Sequence, residues 1–285
     1  MPRNMENLRD NRLIKTFAEL RCAAKKTLLP FLTAGYPDLQ TTGALLHELE
    51  RRGVRICELG IPFSDPIADG PVIQSSYTEA LAAGITSDRI FRMVREFRDA
   101  RHGRSSDRAE LALLTMVSYS IVFRHGVRNY LQDARDAGFD GLIVPDLPLD
   151  EAGALEPLAA ACGLANVMLI SPTTPPDRRL RIAKHSRGFI YYISVAGITG
   201  ERDRLPEATI QGVAELRRHT DTPICVGFGI SNAATVKTVC EVADGAIVGS
   251  AIVHRITDAK AKNLPRGKLV QQVGELVDEL LSPLK

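Results

Sequence analysis

The 285-residue sequence has no tryptophan, and aromatic residues make up only 5% of it. A surface that stacks bases on aromatic rings is therefore not expected. Neither sign of charge dominates: 36 Lys and Arg stand against 34 Asp and Glu, a formal net charge of +2. Binding to nucleic acid by phosphate attraction, which needs a basic patch or stripe, is disfavoured on that ground. No apolar run reaches the roughly 18 residues of a membrane span. The opening stretch MPRNMENLRDNR lacks the apolar segment of a secretory signal. There is no C-x-x-C pair among the five cysteines, Cys22, Cys57, Cys162, Cys225 and Cys240. Their odd number and mostly apolar settings read as buried free thiols in a reducing, cytoplasmic compartment. The six histidines (His47, His102, His125, His185, His219, His254) are scattered without ligand spacing, so no metal site is expected.

What the chain does have is alternation. Apolar residues are 45% and charged residues 25%, ordinary for a soluble globular chain. Eight short apolar runs read as strands covered on both faces, as in a parallel sheet. They are Leu28–Gly35, Ile56–Gly60, Leu111–Val117, Gly141–Asp146, Asn166–Ser171, Phe189–Ser194, Pro223–Gly229 and Gly245–Ser250. Segments of helical period separate them: Thr41–Arg52, Ser87–Arg101, Val127–Ala137, Glu151–Cys162, Pro176–Ser186, Ile210–Thr220, Asn232–Val242 and Arg266–Leu281. Gly53, Gly138 and Gly163 stand where helices stop. Eight strand–helix units predict a closed (β/α)8 barrel, a TIM barrel of the α/β class, over about residues 28–284. An extra N-terminal helix, Asn11–Lys26, precedes it, and the whole of 1–285 reads as a single domain. An open doubly wound sheet is the alternative; the count of eight and the lack of a G-x-G-x-x-G after the first strand weigh against it. The polar stretch Arg101–Arg108 reads as a solvated loop.

Such barrels carry their chemistry where the strands end. In the second strand, alternation sets Cys57 and Leu59 against Glu58. If the first two face the helices, Glu58 faces the barrel interior. No proposed strand contains Lys or Arg, so Glu58 has no evident ion-pair partner there. Desolvation without a cation raises a carboxyl pKa, which suits a general acid or base. A hydrogen bond to a Tyr or Ser across the barrel is the plainer reading. The loop that follows, Ile61–Pro71, is stiffened by proline and holds Asp65 and Asp69. These either aim carboxylates over the mouth or cap turns and the helix near Gln74. The seventh strand ends Gly227-Phe228-Gly229 and the eighth Gly249-Ser250, with Ala251–Ile256 as a short following helix. This pattern suits a substrate phosphate held by backbone N–H groups, or simply tight turns. The loop Val195–Arg204 reads as a mobile lid or an ordinary surface loop.

Together these segments resemble the tryptophan synthase alpha subunit family over nearly the whole chain. The most specific match runs from Glu58 to Gln74, ELGIPFSDPIADGPVIQ; others are Pro30–Gly35, Pro145–Pro148, Gly197–Gly200 and Gly227–Ser231. The resemblance implies a retro-aldol cleavage of indole-3-glycerol phosphate to indole and glyceraldehyde 3-phosphate, with no cofactor. It implies Glu58 as acid and base and Asp69 as acceptor of the indole N–H. It places Gly200, Gly229, Gly249 and Ser250 at the phosphate, Phe31 and Ile143 around the indole, Tyr191 beside Glu58, and Thr199 on the lid. Asp65 matches a residue that signals to a beta subunit, which receives the indole within an alpha2beta2 complex. After the third strand the family usually has a tyrosine and an asparagine where this chain has Ser118 and Ser120. That departure bears on the partner and motivates a second reading, a lyase acting alone; a third, a non-catalytic subunit that binds a phosphorylated ligand, is opposed by the intact Glu58 and Asp69.

Overall fold

The computed structural model describes residues 7–66, 69–100, 110–194, 205–227 and 229–285. Eight strands run parallel and close on themselves in chain order: β1 (Thr27–Thr33), β2 (Ile56–Gly60), β3 (Ala112–Met116), β4 (Gly141–Ile143), β5 (Ala165–Ile170), β6 (Ile190–Ile193), β7 (Ile224–Gly227) and β8 (Gly245–Val248). The helices are α1 (Arg12–Cys22), α2 (Leu39–Arg51), α3 (Pro71–Ala82), α4 (Ser87–Asp99), α5 (Tyr119–His125), α6 (Val127–Ala137), α7 (Leu149–Ala161), α8 (Pro176–His185), α9 (Glu207–Arg217), α10 (Ala233–Val242), α11 (Ser250–Ala261) and α12 (Arg266–Leu281). No described helix is long and apolar enough to cross a membrane.

Except near their C-terminal ends the strands are buried on both faces, which is why they read as continuous apolar runs. Alternation sorts their side chains into two cores. One lies between strands and helices and includes Cys57, Leu59, Leu113, Leu142 and Val226. The other fills the barrel with Leu29, Ile56, Leu114, Ile143, Val167, Phe189, Cys225 and Ile247. Helix α1 closes the end where the strands begin, adding Leu13, Phe17 and Leu20 to that inner core. Its N-cap Asn11 accepts from the N–H groups of Leu13 and Ile14, and its amide donates to the carbonyls of Asp140 and Gly163. The buried Asp140, just before β4, lies 2.9 Å from Arg12 and 3.2 Å from Arg98 and accepts the Leu113 N–H at 2.9 Å. The plug is thus fixed by a paired buried charge.

The barrel and all eight strand positions follow the alternation in the sequence, but strand ends do not. β4 stops at Ile143 rather than Asp146, because the chain turns there into the loops of the mouth. Helix α5 was not expected, and α3 was expected only as a helix near Gln74, without bounds. α5 has only seven residues, too short to show a period, and α3 begins inside a proline-rich stretch that reads as loop. α11 covers twelve residues, well beyond the short Ala251–Ile256 segment.

Candidate active site

Glu58 points into the barrel from the middle of β2, between Phe31 of β1 and Leu114 of β3 in register. It is 0% exposed, and neither carboxyl oxygen has a hydrogen-bond partner among the described residues. The plainer reading, a bond to a Tyr or Ser across the barrel, is therefore not what is found. Loss of water without a compensating cation or donor pushes its carboxyl up to about 8.

Asp69 comes from the loop between β2 and α3. Its backbone closes that loop: its N–H donates to the Pro66 carbonyl, and its own carbonyl accepts from the Gln74 side chain at 2.8 Å. It does not cap α3. The cap residue is Gly70, followed by Pro71 in the first helical turn. The carboxyl is left facing the cavity, and burial pushes it up to about 6.

The cavity at the ends of β2 to β7 has a volume of about 650 Å³ and is lined by Asp69, Phe63, Tyr77, Met116, Ser118, Tyr191 and Gly227, among others. Two missing side chains shape it. A Cβ on Gly60 would lie 2.5 Å from the Phe31 ring and 2.5 Å from the Tyr77 hydroxyl. A Cβ on Gly227 would lie 2.7 Å from the Tyr191 hydroxyl. Both strands thus end in glycine because an aromatic group from a neighbouring element occupies the volume a side chain would need. Tyr191 faces inward from β6, and both it and Tyr77 feel the charges of Glu58 and Asp69, which with burial hold both phenols neutral.

Across the mouth, Gly249 is the N-cap of α11 and Ser250 its first residue. First-turn N–H groups have no intrahelical acceptor, so they are available to an anion. A Cβ on Gly249 would come within 3.5 Å of Phe31, while one on Gly229 would meet nothing within 4 Å, leaving open backbone there. Phe31 lies between these two ends of the site. Ile143 is buried in the inner core rather than on the cavity wall. Asp65 is exposed at the mouth and accepts from Ser64 at 2.9 Å. Thr199, Gly200 and the lid segment lie outside the described residues.

Two features were missed in the sequence. Tyr77 is one: the helix expected near Gln74 had no bounds that would set Tyr77 on the buried face it shares with Ile73. The other is the pairing of Ser118 with Asp146: the hydroxyl donates at 2.7 Å and the Tyr119 N–H donates at 2.8 Å, tying the loop after β3 to the loop after β4. Ser120 joins this cluster at 2.8 Å from Ser118.

Comparison with known proteins places the chain in a family. The family model for the tryptophan synthase alpha chain matches residues 17–280. A tryptophan synthase alpha chain of Rhodopirellula baltica is 45% identical over 246 residues, covering 86% of this chain and 87% of that one. Among solved structures, tryptophan synthase subunit alpha from Legionella pneumophila is 34% identical with a TM-score of 0.85, covering 96% of this chain and 98% of that one. A chain of tryptophan synthase from M. tuberculosis, in an aminoacrylate-bound form, is 28% identical with a TM-score of 0.82, covering 96% and 100%. This chain belongs to the tryptophan synthase alpha chain family.

Proposed function

We propose that Glu58 and Asp69 divide the acid–base work of the reaction that family membership assigns, the lyase cleavage of indole-3-glycerol phosphate in tryptophan biosynthesis. The observation that carries this reading is two carboxyls, unpaired among the described residues, at one barrel mouth, whose pKa values, about 8 and about 6, fall on either side of neutrality. At pH 7 Glu58 holds its proton and Asp69 does not. That is the division an acid and a charge-stabilising base require.

Glu58 gives its proton to the ring carbon that carries the glycerol chain, and the ring nitrogen becomes cationic. Asp69 accepts the indole N–H and stabilises that charge. The Glu58 carboxylate then takes the proton of the adjacent hydroxyl. The O–H electron pair becomes the aldehyde C=O, and the C–C bonding pair returns to the ring. Indole and glyceraldehyde 3-phosphate leave with Glu58 protonated again, so no cofactor enters the balance. Gly229, Gly249 and Ser250 hold the phosphate through backbone N–H groups.

The partner that takes the indole, a beta subunit, docks at the mouth in an alpha2beta2 assembly. The two large apolar side chains most exposed among the described residues support this: Phe123, 67% exposed, on α5, and Ile193, 37% exposed, at the end of β6 and on the cavity wall. Asp65 stands on the same rim. Five free cysteines fit a reducing, cytoplasmic setting.

The test is indole release from indole-3-glycerol phosphate by the purified chain, with and without a beta subunit. Indole fluorescence reports it without tryptophan background, because the chain has none. Glu58→Gln and Asp69→Asn are each expected to lower turnover at least 100-fold with the fold intact. Near-normal release by either variant removes that residue from the mechanism. Release unaffected by any beta subunit would favour a lyase acting alone.

A further inference from the structure

The carboxyls are not the only polar groups at the reacting end of the cavity. Tyr77 is 1% exposed, yet it lines the cavity, and its hydroxyl has no hydrogen-bond partner among the described residues. Its ring rests on Phe63, with centroids 5.9 Å apart, and its oxygen stands over Gly60 beside the Phe31 ring. Gly60 is two residues beyond Glu58 on β2, and so faces inward one pleat repeat above it, about 6.6 Å along the strand. The hydroxyl is thereby held near enough to both carboxyls to feel their charge.

Packing does not explain this oxygen. A phenylalanine would make the same contacts with Phe63 and Phe31, so the hydroxyl adds only a polar atom presented to the cavity. Such a group is accounted for when a ligand meets it. The candidate ligand atoms are few. The indole N–H is itself a donor and is claimed by Asp69. The phosphate lies across the mouth at the starts of α10 and α11. Two glycerol hydroxyls remain, and the one next to the breaking bond is the one that must give its proton to Glu58.

We infer that Tyr77 is a substrate contact whose hydroxyl donates a hydrogen bond to the glycerol oxygen that becomes the aldehyde oxygen. This inference rests on the retro-aldol reading above. The phenol gives up no proton: it stabilises the negative charge that builds on that oxygen while its own hydrogen passes to Glu58, the role of an oxyanion donor. A tyrosine kept neutral by burial and two nearby carboxyls remains a donor throughout the working pH range.

The test is Tyr77→Phe, which removes one oxygen and keeps the ring. Steady-state indole release is measured across pH, alongside binding of indole-3-propyl phosphate, which has the ring and phosphate but no reacting hydroxyl. A fall in kcat of at least tenfold, unmoved limbs of the pH profile and an unchanged Kd for the propyl analogue are expected. A smaller fall in kcat overturns the inference. So does weaker binding of the analogue, which would mean that the hydroxyl shapes the pocket rather than meeting the glycerol oxygen. If the unaltered chain releases no indole, the retro-aldol reading itself fails, an outcome separate from either of these.

Discussion

Replacing Glu58 with Gln should stabilise the protein, and by an amount that grows with pH. In the folded chain the buried carboxyl holds its proton up to about pH 8, whereas its ordinary value is 4.5. Between these values the unfolded chain has released a proton that the folded chain still holds, so raising the pH favours unfolding. Each pKa unit corresponds to about 1.4 kcal/mol. The separation therefore costs about 5 kcal/mol once the pH is above both values, and about 4 kcal/mol of that develops between pH 5 and pH 9. Glutamine has nearly the same shape and does not titrate. Any penalty for its own buried amide is independent of pH and drops out of the slope. Urea unfolding of the two proteins, followed by circular dichroism at pH 5, 7 and 9, measures the gap. The variant should gain about 4 kcal/mol relative to the parent from the lowest pH to the highest. A gap that stays constant to within about 1 kcal/mol would mean that Glu58 ionises normally in the folded protein, and its assignment as an acid at neutral pH would fall with it.

The same two carboxyls predict the pH dependence of turnover. kcat/KM should be bell-shaped, rising through about pH 6 as Asp69 ionises and falling through about pH 8 as Glu58 loses its proton. A flat profile from pH 5 to 9 would contradict the division of roles. At the opposite end of the barrel, Asp140→Asn removes the carboxylate that Arg12 and Arg98 share. Breaking a buried pair from one side costs about 3 kcal/mol. Thermal unfolding should show that loss, while indole release per folded molecule stays within twofold of the parent.

Glu58 was legible because three cheap signals coincided: strand alternation, burial, and the lack of Lys or Arg in any strand. Its orientation, with Cys57 and Leu59 outside, follows from period two alone. Asp69 was legible as a residue but not in its action. Only the geometry shows that Gly70 takes the capping position and that Asp69 closes its loop through backbone bonds, freeing the carboxyl. Tyr77 was hidden because the helix expected near Gln74 had no bounds that would set its buried face. The Ser118–Asp146 link was hidden because it joins loops 28 positions apart, and no local pattern encodes such a contact. The Asp140 pair drew no notice for a similar reason: its partners lie on α1 and α4, elements that meet it only once the barrel has closed.

The α1 plug gives the barrel a direction. With Leu13, Phe17 and Leu20 filling the end where the strands begin, the interior is, among the described residues, a cul-de-sac closed at that end. An apolar, uncharged product such as indole could otherwise seep through loosely packed protein, but here it must leave by the opening through which the substrate entered. A beta subunit seated on the rim marked by Phe123 and Ile193 would stand in that doorway. Delivery would then need no dedicated carrier and no second exit, because release and hand-over would be a single event.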